Sequence, residues 1–262
     1  MKDQFSNSYN DAECARKYAK LEFPGTYYLA FRDIPQLIGR YVKGLVALDF
    51  GCGAGRSTRF LRDLGFDACG IDISGSMLTE AVKADPVGKY ILTTDGELGM
   101  IEDSSMDLVL SAFTFDNIPS EKNKLDLFRE FLRILKPAGI FINLVSNPGI
   151  YLHEWASFTT KDFPENGLAR TGAVVKIINT SAGHTRPVDD ILFPWQDYRR
   201  LYDQAGFKVL EHHEPLASRS EPIEWINETR IAPWSVHVVG DGLYSARGSG
   251  CPENGGKIFV RF

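Results

Sequence analysis

The chain has 262 residues, a formal net charge of −5, and 44% hydrophobic and 24% charged residues. That is enough chain for a sizeable core, and a mildly acidic chain without a basic block argues against a nucleic-acid binder. No apolar run approaches the ~20 residues of a membrane span, the polar start at residues 1–11 lacks a signal-peptide core, and four cysteines without a C-x-x-C pair read as reduced thiols of a cytoplasmic protein.

In chain order, residues 1–44 read as a helical cover. Asp11 caps a helix through Leu21, and Pro24-Gly25 breaks it. A second helical segment runs from Thr26 towards Tyr41 and ends by Gly44. Tyr27, Tyr28, Phe31 and Arg32 cluster there. One reading is an apolar face packed on a sheet, with Arg32 in solvent. The other is a cover over a ligand pocket, with Tyr28 or Arg32 meeting the ligand.

Residues 45–146 alternate strand and helix. An apolar run of strand length, 45–49, leads into Asp49-Phe50-Gly51-Cys52-Gly53-Ala54-Gly55, and a helical pattern begins at once. Alternating glycines let a backbone turn sharply and approach a ligand closely. The helix N-terminus beyond offers unpaired N–H groups. Cys52 reads as a small spacer within this turn. A helix at 59–64 ends at Gly65, and a strand covers 67–72. Ser74 caps a helix carrying Met77, Leu78 and Val82. Strands follow at 90–94 and 106–112. Ser120 caps a helix with Leu125, Phe128, Leu132 and Leu135 on one face. A Lys136-Pro137-Ala138-Gly139 turn leads into a strand at 140–145. This alternation predicts a doubly wound, mostly parallel seven-stranded α/β sheet, with ligands at the carboxyl ends of its strands.

Residues 147–193 break the rhythm with Pro148-Gly149, Pro164, Gly167, Gly172, Gly183 and Pro187 around an alternating piece at 173–179. A connection this long after the fifth strand reads as a lid or substrate insertion. Trp155, Phe158, Phe163, His184, Arg186 and Trp195 can build an aromatic substrate pocket there, or merely the insertion's own core. Residues 194–262 return to the sheet. A helix at 195–205 is capped by Gly206, and a sixth strand lies at 207–211. The seventh lies at 234–239, with 257–262 as a rival and 240–256 as a loop.

The glycine turn fits neither phosphate motif. A dinucleotide fingerprint has its third glycine one residue later, where Arg56 stands, and a P-loop requires Gly-Lys-Ser/Thr at its end. Asp49-x-Gly51-x-Gly53-x-Gly55 after an apolar strand instead resembles motif I of the class I S-adenosylmethionine (SAM)-dependent methyltransferases. The segments 103–110 and 128–139 are similar to that family's fourth strand and the helix and turn before its fifth. Pro137-Ala138-Gly139 stands where the family usually has Pro-Gly-Gly. The resemblance covers 45–145 firmly and 195–240 fairly, and is absent over 147–193.

The resemblance implies SAM as cofactor and S-adenosylhomocysteine (SAH) as product. Asp72, about 20 residues after the turn, is placed to accept both ribose hydroxyls. Asp95 is placed for the adenine amine, Gly96 lets the backbone approach the ring, and Ile73 and Met77 sandwich it. The implied cofactor set is Asp49, Gly51, Cys52, Gly53, Asp72, Ile73, Met77, Asp95, Gly96, Glu97, Ser111 and Phe113, with no metal. Asp72 and Asp95 also read as a helix cap and a turn former. The segment 111–119 faces the methyl group, so Asp116 or Asn117 is a candidate to orient an acceptor. Tyr28 and His184 are further catalytic candidates, and His153, His212, His213 and His237 are the other possible bases. An amino-adenine methyltransferase has Asn/Asp-Pro-Pro-aromatic at this point, which is missing here. The expected function is methyl transfer to an oxygen or nitrogen of a small molecule, without nucleic-acid or membrane partners. The alternatives are a SAM-binding enzyme that transfers no methyl and a non-catalytic SAM-binding protein.

Overall fold

The apolar runs and amphipathic helices assemble as one doubly wound sheet. The computed structural model describes residues 16, 19, 23–181 and 186–243. The Asp11–Leu21 helix, His184 and the rival strand at 257–262 lie outside the described residues, wholly or for the most part. Helices α1 (Thr26–Arg32) and α2 (Ile34–Tyr41) lead into β1 (Val46–Phe50), α3 (Arg56–Asp63), β2 (Asp67–Asp72), α4 (Gly75–Ala84), β3 (Lys89–Leu92), β4 (Met106–Ala112), α5 (Glu121–Ile134) and β5 (Leu135–Ser146). An insertion then carries β6 (Phe158–Thr159), β7 (Val174–Asn179) and β8 (Val188–Ile191). Helix α6 (Trp195–Ala205), β9 (Lys208–His213) and β10 (Trp234–Gly240) follow.

The main sheet runs β3-β2-β1-β4-β5-β10-β9. β1 to β5 are mutually parallel, and β10 is antiparallel to both β5 and β9. Strand order reverses at β1, between β2 and β4, which is where such sheets open a crevice. Both faces are covered. Ala47, Leu108, Leu110, Ile140, Ile142 and Val236 pack against Leu29 and Phe31 of α1 and Phe60 and Leu61 of α3. Leu48, Phe50, Val109, Phe141 and Val145 pack against Phe128 and Phe131 of α5 and Tyr198, Leu201 and Tyr202 of α6.

Three elements differ from the sequence reading. The helix expected from Thr26 towards Tyr41 is two helices broken at Asp33, because Pro35 has no N–H to continue the ladder. Arg32 is not in solvent: it pairs with Asp33 (2.7 Å) and Glu221 (2.8 Å). The 136–139 turn is a bulge within β5. Met106 pairs with Leu135 and Leu108 with Ile140, and Ala138 takes φ 64° where its N–H donates to the Asp241 carboxylate.

The insertion is an antiparallel three-stranded sheet, and its large aromatics join the main core. The Phe158 ring lies 5.1 Å from Tyr27 and 5.7 Å from Trp234. Trp155 is buried, with Nε1 donating to the Ile150 carbonyl. Glu228, fully buried in the β9–β10 connection, ties three parts together. Its carboxylate accepts from Thr26 Oγ1 (2.7 Å) and from the N–H groups of Ala156, Ile226 and Asn227.

Candidate functional site

After β1 the chain turns through Gly51, Gly53 and Gly55, at φ 72°, 53° and 78°. The N–H groups of Gly51 and Cys52 both donate to the Ile71 carbonyl, which fastens the turn to β2. A Cβ on Gly51 would meet Thr114 Oγ1 at 2.0 Å. Glycine is therefore demanded here twice, by backbone conformation and by the close approach of the segment after β4.

Asp49 lies beneath the turn. It is fully buried, and Oδ2 accepts from Ser57 Oγ (2.7 Å) and Thr58 Oγ1 (2.6 Å) in the first turn of α3. Burial pushes its carboxyl up to about 6, and the two hydroxyl bonds moderate that rise. Asp72 closes β2. Its Oδ2 accepts from the Gly53 N–H and its Oδ1 from the Ser74 N–H, both at 2.8 Å. Burial raises its pKa against these backbone hydrogen bonds. The cap of α4 is the Ser74 hydroxyl, which accepts from the Met77 N–H, so Asp72 is not the cap.

A cavity of about 550 Å³ opens at these strand ends. Gly51, Cys52, Gly53, Asp72, Ile73, Met77, Asp95, Gly96 and Phe113 line it. Asp49, Glu97 and Ser111 are not among the residues that line it. Asp49 supports the turn from below. Glu97 is exposed, and its carbonyl accepts from Thr93 Oγ1. Ser111 is fully buried and belongs to the face of β4 covered by α5 and α6. The parity of β4 decides this last case, since Val109 and Ser111 share a face while Leu110 and Ala112 take the other.

The acceptor candidates separate as well. Asn117 lines the cavity and its amide donates to the Phe113 carbonyl (3.2 Å). Asp116 is buried behind that wall, accepting from the Ser146 N–H (3.0 Å). Tyr28 leans on Trp225 at 6.5 Å and does not line the cavity. Among the described histidines none lines it. His212 stacks on Trp195 (4.1 Å), His213 meets Asp33 (2.8 Å), and His237 is buried with Nδ1 on the Tyr202 hydroxyl (2.9 Å). Burial lowers the pKa of both His212 and His237. No described residue of 147–193 lines the cavity, Trp155 and Phe158 pack in the main core, and Trp195 stacks on His212.

Several lining residues were neither in the expected cofactor set nor among the catalytic candidates: Phe31, Arg56, Thr114, Asn123 and Leu127 among them. Arg56 had a signal, since it stands where a dinucleotide motif has glycine. It opens α3, is buried, and its guanidinium carbon lies 4.8 Å from the Tyr27 ring centre and 5.4 Å from Phe31. Asn123 and Leu127 sit four residues apart on α5, hence on one helix face.

The lining suits an adenosyl ligand. Asp72 presents a half-buried carboxylate to a ribose diol, the glycine turn admits close backbone contact, and Ile73, an aliphatic side chain 49% exposed at the cavity, offers a face to a base. The fold and site define a doubly wound cofactor-binding enzyme of the glycine-turn kind. A methyltransferase-domain family model matches residues 48–143. Malonyl-[acyl-carrier protein] O-methyltransferase of Enterobacter lignolyticus is 32% identical over 203 residues, covering 73% of this chain and 78% of that protein. The chain belongs to the class I SAM-dependent methyltransferases, and its cofactor is SAM. 2-Methyl-6-phytyl-1,4-hydroquinone methyltransferase of Synechocystis is 34% identical over 102 residues, covering 38% of this chain and only 31% of that protein. The CcbJ methyltransferase of Streptomyces caelestis shares the fold with a TM-score of 0.61 at 19% identity, covering 89% of this chain and 97% of that one. No helix among the described residues is long and apolar enough to cross a membrane.

Proposed function

We propose that this protein transfers a methyl group from SAM to an oxygen or nitrogen of a small-molecule acceptor, and that it acts in the cytoplasm without nucleic-acid partners. The observation carrying this reading is a single cavity in which two sets of residues meet. Asp72, Ile73, Met77, Asp95 and Gly96 are suited to hold a nucleoside. Phe31, Arg56, Phe113 and Thr114, from α1, α3 and the end of β4, are suited to hold an acceptor.

SAM, when bound, supplies a sulfonium-activated methyl group. The chain's own contribution is placement. Asp72 and the glycine turn fix one reactant, Phe31 and Phe113 keep water out, and Asn117 holds the loop that bears Phe113. Such positioning contributes several kcal/mol, roughly 7–11 in ideal cases. With no described histidine at the cavity, the acceptor best suited is one whose nucleophilic atom is already ionised or electron-rich near neutral pH. The printed names of two relatives, acting on a malonyl group carried by a protein and on a hydroquinone, support oxygen-rich acceptors.

The test is SAH formation from methyl-labelled SAM against a panel of small carboxylates, phenols, hydroquinones and amines. Acceptor-dependent SAH with label in the acceptor is expected. Cofactor binding without turnover across the whole panel would contradict the reading.

A further inference from the structure

Behind the cavity wall lies a buried ionic cluster that cofactor binding does not explain. Lys124 of α5 is fully buried, and its ammonium donates to the Phe115 carbonyl. The rings of Phe193, Tyr198 and Phe115 surround it at 4.9, 5.6 and 5.7 Å. Asp116, also buried, accepts from the Ser146 N–H at the end of β5 (3.0 Å), and its charge acts on the Lys124 ammonium. The insertion adds a second buried carboxylate. Asp190 of β8 accepts from the Tyr151 hydroxyl (3.1 Å) and lies close enough to Asp116 for the two carboxylate charges to act on each other. Burial lowers the Lys124 pKa and raises those of Asp116 and Asp190.

The wall in front is strained. Phe113 has φ 63°, a left-handed conformation that a bulky side chain adopts only when its surroundings impose it. On the cavity side the ties are Thr114 Oγ1 to the Phe50 carbonyl (3.1 Å) and the Asn117 amide to the Phe113 carbonyl. From behind, Lys124 holds Phe115 and Asp116 is anchored to Ser146. A buried ion pair is a weak source of stability, and its best-attested return is a unique conformation. We propose that Lys124 and Asp116 are positioning residues that hold the 113–119 wall in its cavity-facing conformation, with β8 of the insertion packed against residues 115–117. This rests on the 113–119 wall belonging to the SAM site. It gives the insertion a part in the site although none of its described residues lines the cavity.

The test uses SAH as the probe, by calorimetry at a temperature where every variant is folded, alongside thermal melting. Lys124→Met and Asp116→Asn each leave a buried charge without its partner, so both should melt earlier and bind SAH at least tenfold more weakly. The neutral pair D116N/K124M removes both charges at nearly constant volume. Its melting temperature should recover towards wild type while SAH affinity stays reduced at least tenfold. That separation is one a merely structural role would not produce. If the single variants do not fold, the neutral pair and Asp190→Asn decide alone, and Asp190→Asn should weaken SAH binding by threefold or more. A folded neutral pair with wild-type SAH affinity would overturn the proposal, as would melting and affinity that recover together. The readout needs no acceptor, so an error in the acceptor reading would leave its outcome unchanged.

Discussion

Asp49 and Asp72 both end strands beside the same turn, yet they do different work. Asp72 reaches the cavity while Asp49 stays beneath the glycines. Asp72→Ala should weaken SAH binding by about 1–3 kcal/mol, because buried hydroxyls of the ligand lose their acceptor. Titration calorimetry on folded protein checks this, and unchanged affinity would reduce Asp72 to a strut for Gly53 and Ser74. Asp49 makes a prediction about pH. Its folded pKa of about 6 lies above the unfolded value of about 3.9. The folded state therefore holds this proton more tightly, and the associated stability, present below pH ~4, is lost as pH rises through 6. Asp49→Asn mimics the protonated form. It should gain about 3 kcal/mol over wild type at pH 7 and little at pH 4 in urea melts. Gly51→Ala should cost more than about 2 kcal/mol, since its methyl would overlap the Thr114 side chain at a positive φ. The spacing of the glycines and Asp72 was legible in the sequence because a motif at a strand end brings its own geometry. The inward or outward turn of Ser111 and Glu97 was not, since it depends on strand parity and loop path.

At the scale of elements, the caps were readable. Ser74 and Ser120 accept from the N–H three residues on, and Gly206 closes α6 at φ 101°. β2, β4 and α6 begin and end where their apolar patterns do. What pattern alone missed were the break at Asp33, which Pro35 imposes and which Arg32 and His213 brace, and the β5 bulge, held by Asp241. The insertion's packing was hidden for a related reason. Its aromatics suggested a substrate pocket or a private core, but Phe158 and Trp155 complete the main core beside Tyr27 and Trp234. Replacing 147–193 by a Gly-Ser linker should thus abolish cooperative unfolding rather than leave a cofactor-binding core. Trp155→Ala should lower stability by about 3–5 kcal/mol, while SAH affinity of the folded variant stays within about tenfold. A larger loss of affinity would place the insertion in direct contact with the cofactor.

For the whole molecule, the sheet order brings the ends of β1, β2 and β4 together at the reversal point, and those ends carry the glycine turn, Asp72 and Phe113. Distant parts of the chain then close around them: α1 supplies Phe31, and α5 supplies Asn123 and Leu127. The central claim is that this crevice is a SAM site and not a dinucleotide site. Isothermal titration with SAH and with NAD, under identical conditions, tests it most directly. One SAH site per chain with no heat from NAD is the predicted result, and saturable binding of NAD in place of SAH would contradict it.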